Sequence, residues 1–219
     1  LFIQMTKIRT IHLLFPFQKN LTILLSALFI SLFTTQAHSG EINLTKEQSN
    51  LLKKEGLVTI VGPDAKGAAG MVQAIIDIPV PPSILWNTML DCKGANRFIE
   101  GLQQCRILKE DPKGKWDVRE HVVSWLALMP STRSEFRSDY QKHRSIKFMR
   151  TGGDLKILEG EWNLQSVQKG KETRLTYMAR VDPGTILPSS MIRAAVEADF
   201  PKTLKALRKE AIRRNKQSE

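Results

Sequence analysis

Cysteine is nearly absent from this 219-residue chain, with Cys92 and Cys105 as its whole complement. Two thiols without further ligands at suitable spacing argue against a zinc centre. The twelve residues between them are unlike the close Cys-x-x-Cys pair of redox enzymes. Also missing are a Gly-x-Ser-x-Gly nucleophile elbow, a phosphate-binding glycine loop and a zinc-binding helix. No internal repeat or low-complexity block interrupts the chain. No metal and no cofactor is expected.

The N-terminus does carry a leader pattern. Lys7, Arg9 and Lys19 precede an apolar run from Leu21 to Phe33, and Thr35-Gln36-Ala37 offers the small residues that signal peptidase reads. Residues 1–37 are expected to be a signal peptide, cleaved after Ala37, with those before Met5 left out of the fold reading. The alternative is an uncleaved anchor, for which the run is short. Export predicts a periplasmic location, where a structural disulfide is the default for Cys92 and Cys105. Removing Lys7, Arg9 and Lys19 lowers the formal charge from +11 to +8. These charges are spread out and an exported protein seldom meets nucleic acid, so no nucleic-acid partner is expected. Peripheral contact with an anionic membrane surface suits the basic surplus better.

Residues 38–56 read as an N-terminal extension. Thr45 can cap a short helix over 45–54, with Gln48 in capping-box register and Gly56 ending it. Leu57–Val61 and Met71–Ile78 are β-branched runs separated by a glycine-rich turn. Pro79, Pro81 and Pro82 then stop the strand, and Pro82-Ser83 suits the first turn of a helix over 82–90. A second short helical piece is expected over 94–99. Strands follow at 104–109, 115–126, 131–140, 144–151, 157–168 and 172–182, joined by short turns, Gly152-Gly153 among them, so they should form an antiparallel meander.

Alternation assigns the faces. Ser134, Phe136, Ser138 and Tyr140 should face the core and Arg133, Glu135, Arg137 and Asp139 water. By the same count Ile146, Phe148, Trp162, Leu164, Leu175, Tyr177, Ala179 and Val181 point inward. The register of 116–126 stays open, because Val122 and Val123 disagree and Trp125 and Leu126 are both apolar. A closing helix is expected over 188–214, with Ile192, Ala195, Val196, Phe200, Thr203, Leu204, Leu207 and Ala211 in one stripe. Pro201 predicts a kink within it. Residues 215–219 form a polar tail.

The proline-bounded strand-to-helix junction, Trp86 within the helix, Leu90-Asp91 at its end, the segment Phe98-Ile99-Glu100-Gly101-Leu102 and the strand Cys105-Arg106-Ile107-Leu108 resemble the opening of the START-like superfamily (SRPBCC), with its polyketide cyclase/dehydrase and coenzyme Q-binding members. The terminal Asp199-Phe200-Pro201-Lys202-Thr203-Leu204 run resembles the closing helix of exported bacterial members. The resemblance covers residues 57–214. It implies an α+β helix-grip (Bet v 1-like) fold: a curved antiparallel sheet wrapped around a long C-terminal helix, with two short helices after the first strand. It further implies a cavity between sheet and helix, lined by Trp125, Phe136, Phe148, Trp162, Tyr177, Met191, Ile192 and Val196, that holds a hydrophobic small molecule such as a lipid, sterol or quinone. The small residues Ser134, Ser138, Ala179 and Ala195 favour such a space over a filled core. The loop Asp182-Pro183-Gly184-Thr185 and the helix start near Met191 are candidate gates. The signal peptide and cysteine pair depart from the coenzyme Q-binding members.

Catalytic candidates are few. His121 and His143 lack a paired carboxylate and read as surface or hydrogen-bonding residues. Glu159 and Glu161 share a strand face but should lie outside, because Trp162 and Leu164 claim the core side. The expectation is a periplasmic carrier and not an enzyme. The alternatives are a cyclase- or dehydratase-like enzyme using the same pocket, or a ligand-free interaction module.

Overall fold

The computed structural model describes residues 42–124 and 131–218. The expected signal peptide and Trp125 lie outside the described residues.

Helix α1 spans Lys46–Glu55; both halves of the Thr45–Gln48 capping box form, and Gly56 closes it in the left-handed conformation. Strands β1 (Leu57–Gly62) and β2 (Gly70–Ile78) make a hairpin. Helix α2 (Pro82–Leu90) and a 3-10 turn (Ala95–Arg97) follow. Then comes the meander of β3 (Leu102–Glu110), β4 (Trp116–Val123), β5 (Thr132–Gln141), β6 (Ser145–Gly153), β7 (Ile157–Val167) and β8 (Glu172–Asp182). Helix α3 (Ser189–Ser218) ends the chain and continues through Pro201.

All neighbours are antiparallel, in the order β1-β2-β8-β7-β6-β5-β4-β3. The first hairpin thus pairs with the last strand, and α2 carries the chain from one arm of the sheet to the other edge. The result is an α+β helix-grip fold with a curved sheet. Gly152 and Gly153 belong to β6 instead of forming a turn: the β5–β6 register slips between Glu135 and Phe136, and Gly153 takes φ 85°. A Cβ at Gly153 would lie 2.4 Å from the Arg133 carbonyl oxygen, so only glycine fits that slip.

The core lies between sheet and helices, with Ile76, Ile78, Val80, Leu85, Leu175 and Leu204 sealed from solvent. The proline junction is tied into it, since Thr173 Oγ1 of β8 donates to the Val80 carbonyl at 2.8 Å. A separate small cluster of Ile42, Leu52, Val58 and Ile75 seats α1 outside this core. The Cys92–Cys105 disulfide forms, with Cα atoms 5.5 Å apart, and joins the end of α2 to β3.

Candidate functional site

Alternation on the strands creates the site. Their inward side chains meet the inner stripe of α3 without filling the gap, leaving a cavity of about 590 Å³. Val196, Phe200, Leu204 and Leu207 of α3 form its lid, and Phe98 to Gly101 close one side. The sheet floor is aromatic: Tyr177 packs 4.1 Å from Trp162 and 4.8 Å from Phe200, ring centre to ring centre, and stacks on Phe148 at 6.0 Å. Gly160 makes room for this set, because a Cβ there would fall 2.7 Å from the Phe148 ring.

Of the residues expected to line a pocket, the structure brings together Phe136, Phe148, Trp162, Tyr177 and Val196. Met191 and Ile192 do not join them: Met191 is 57 % exposed, and both precede the stretch of α3 that spans the cavity. Ala195 is exposed too, so the apolar stripe continues beyond what the sheet covers. Ser134 and Ser138 line the space as expected. Glu159 lies outside, paired with Arg180.

The structure settles the register of β4, which alternation left open. Asp117, Arg119 and His121 face inward, opposite Ser138, Phe136 and Ser134 of β5. His121 is therefore a cavity residue and not a surface one. Arg119 Nε lies 3.1 Å from Asp117, its Nη2 also contacts that carboxylate, and Nη2 donates to the Tyr140 hydroxyl at 3.0 Å. Burial weakens the Arg119 charge, but Asp117 and Tyr140 together more than restore it, so the guanidinium pKa is raised. Burial also pushes the Tyr140 and Tyr177 hydroxyls upward. His121 is held down to about 4 by burial and then by the neighbouring Arg119 charge, so it is neutral near pH 7. Among the described residues its buried Nε2 has no hydrogen-bond partner, and its ring meets Phe136 edge-on at 5.0 Å. The sequence signal for this wall was the i, i+2 spacing of a self-neutralising Asp–Arg pair opposite a strand whose inner face was already assigned.

The cavity can bury apolar surface along most of its wall and hydrogen-bond along the β4–β5 side. Among the described residues no three His, Cys, Asp or Glu side chains gather as a metal site.

Comparison with known proteins agrees with this geometry. A protein of Pseudomonas aeruginosa without assigned function is 25% identical over 185 residues, covering 78% of this chain and 91% of that one. A Streptomyces aromatase/cyclase structure superposes with a TM-score of 0.57 at 19% identity, covering 66% of this chain and 94% of its own. A STAR-related lipid transfer protein fragment from Xanthomonas axonopodis gives 0.59 at 16% identity, covering 72% and 94%. At these identities the structures share the fold. Residues 78–208, more than half the chain, match the family described as polyketide cyclase / dehydrase and lipid transport. The chain belongs to that family and carries a START-like domain.

Proposed function

We propose that the protein binds a hydrophobic small molecule, of lipid, sterol or quinone size, and carries or shields it in the periplasm. The observation that supports this is the mainly apolar cavity of about 590 Å³ between sheet and α3. Each Å² of apolar ligand surface removed from water would contribute about 25 cal/mol. Lipid transport in the family description and lipid transfer in the Xanthomonas protein's name favour the same reading.

The loop Asp182-Pro183-Gly184-Thr185 and the start of α3 act as the gate. Ile186, Leu187 and Met191 are exposed apolar side chains beside it, suited to shallow entry into a bilayer. Nucleic acid has no part in this function.

The test is native mass spectrometry and solvent extraction of protein purified from its own cell envelope. A reproducible apolar adduct is expected, and protein that stays empty and takes up no apolar probe overturns the proposal.

A second reading is a cyclase- or dehydratase-like enzyme. The unpartnered His121 Nε2 and the Arg119 guanidinium in the cavity wall favour it. Turnover of an added poly-ketone substrate, lost in His121→Phe, would select it over simple carriage.

A further inference from the structure

The solvent face of α3 is divided along its length. With the turn of an α-helix, Met191, Ala194, Ala195 and Ala198 fall on the same arc of about 100° as Lys202, Lys205, Lys209 and Lys216, and all of them are exposed. The part before Pro201 is thus apolar or small and runs on from the exposed Ile186 and Leu187. The part after it is lysine. The acidic residues of the helix, Glu197, Asp199 and Glu210, lie outside this arc.

The lysines do not serve the helix itself. Lys205 and Lys209 stand four positions apart and Lys202 and Lys205 three, which sets like charges side by side where a Glu–Lys alternation would stabilise. The helix dipole favours a cation only in the last turn, which accounts for Lys216 and not for the others. Asp199 neutralises Lys202 at 2.7 Å. Lys205, Lys209 and Lys216 have no carboxylate partner among the described residues.

The chemistry of the face selects its partner. Lysine is a point charge on a flexible stem and suits the diffuse negative charge of a headgroup layer, whereas the planar fork of arginine suits discrete carboxylates on a protein. The arginines of this part of α3 are turned to the protein's own groups: Arg208 to the carbonyls of Glu55 and Gly56, Arg213 and Arg214 to Glu210. Apolar side chains in line with the lysines call for hydrocarbon beside the charge, which a bilayer offers and an acidic protein surface does not. Both parts share one side of the helix, so one flat surface can meet them together.

We propose that this face of α3 docks the protein on an anionic phospholipid leaflet, with Lys205, Lys209 and Lys216 over the headgroups and Met191 beside Ile186 and Leu187 at the hydrocarbon boundary. This rests on the reading that the gate meets a bilayer, and adds which lipid charge is recognised and by which residues.

Co-sedimentation with vesicles of phosphatidylcholine, alone or mixed equally with phosphatidylglycerol, tests it on protein processed by its own cell, so that wild type and variants share one N-terminus. Wild type is expected to bind the mixed vesicles about thirtyfold or more tighter than the neutral ones, and to lose that preference in high salt. Lys205→Gln/Lys209→Gln/Lys216→Gln should bring the two affinities within about threefold of each other. Ile186→Ser/Met191→Ser should weaken binding to mixed vesicles about threefold or more without changing its salt dependence, and no change there overturns the apolar part of the face. Equal binding of wild type to both vesicles, or an undiminished preference in the triple variant, overturns the lysine part. Capture by soluble polyglutamate without binding to mixed vesicles would assign the lysines to an acidic protein and overturns it too. Uptake of diphenylhexatriene, read without vesicles, keeps this claim apart from the carrier reading. It should be unchanged in the triple variant, and its failure in wild type overturns the carrier reading while a vesicle preference that holds leaves the docking face standing.

Discussion

Arg214, near the end of α3, holds the carboxylate of Asp91 at 2.6 Å, and Asp91 is the residue that ends α2 just before Cys92. One side-chain pair thus fastens the closing helix to the segment that leads into the disulfide. Glu210 reinforces it: buried, it accepts from Arg97, Arg213 and Arg214 at 3.2, 2.7 and 2.8 Å. Breaking a buried multi-partner carboxylate strands charge on both sides, which explains why such a cluster matters more than surface pairs such as Arg137–Asp139.

The Glu210 cluster should make stability acid-sensitive. Its hydrogen bonds, that from Arg213 foremost, hold the carboxyl down to about 2 from an ordinary 4.5. A lowered folded-state pKa stabilises above the unfolded value and is lost as pH falls through the folded one. Glu210→Gln is therefore expected to lower Tm at pH 7 and to flatten the pH dependence between about 4.5 and 2. Thermal unfolding across that range checks it; parallel curves for the two proteins would count against the cluster.

His121 should titrate far below an ordinary imidazole, at about 4. Between 6.5 and 4 the unfolded chain binds a proton that the folded one refuses, so stability falls as pH drops through that window. A Cε1–H chemical-shift titration should show a neutral ring down to about pH 5, and His121→Phe should lose this part of the pH dependence. A midpoint near 6.5 would contradict the burial of this ring.

Reducing the disulfide should loosen one side of the cavity. Cys92 and Cys105 close a short loop that contains Phe98, Ile99 and Gly101. Its loss is expected to cost about 3 kcal/mol, or a fall of about 6–12 °C in Tm for a chain of this size. Thermal melts with and without a phosphine reductant measure it, and proteolytic cuts within 93–104 should appear only after reduction.

Gly160→Ala should destabilise although alanine is small. The added Cβ would meet the Met178 carbonyl oxygen at 2.3 Å and the Phe148 ring at 2.7 Å. Backbone cannot yield as a flexible side chain would, so a loss of about 1–3 kcal/mol in urea unfolding is expected. A neutral result would mean that Phe148 does not lie across Gly160.

Local chemistry made most of the fold legible. The Thr45–Gln48 box, Pro81-Pro82 at the start of α2 and the period-2 faces of β5 and β8 each have a near-neighbour cause, and each is found where the sequence places it. Where the reading stopped, the missing information was tertiary. In β4, whose register alternation left open, Trp116 turns outward beneath the Arg137 guanidinium at 4.4 Å, while Asp117 and Arg119 go inward because each neutralises the other. Periodicity alone also cannot show where a sheet ends. Met191 and Ile192 continue the stripe of α3, but the cavity begins only at Val196.

Helix α3 is anchored unequally along its length. Leu204, Leu207 and Ala211 are buried, Arg208 grips the carbonyls of Glu55 and Gly56, and the Glu210 cluster follows. Before Pro201 the helix has Arg193 on the Ala69 carbonyl and little else beyond the cavity residues themselves. Pro201 has no N–H to offer the Glu197 carbonyl, so the helix is weakest where its two halves meet. The lid is in effect a cantilever, clamped at its far end and compliant near residues 189–200. A long, narrow guest would find its lowest barrier by lifting that free arm, and amide hydrogens there should exchange sooner than those after Leu204.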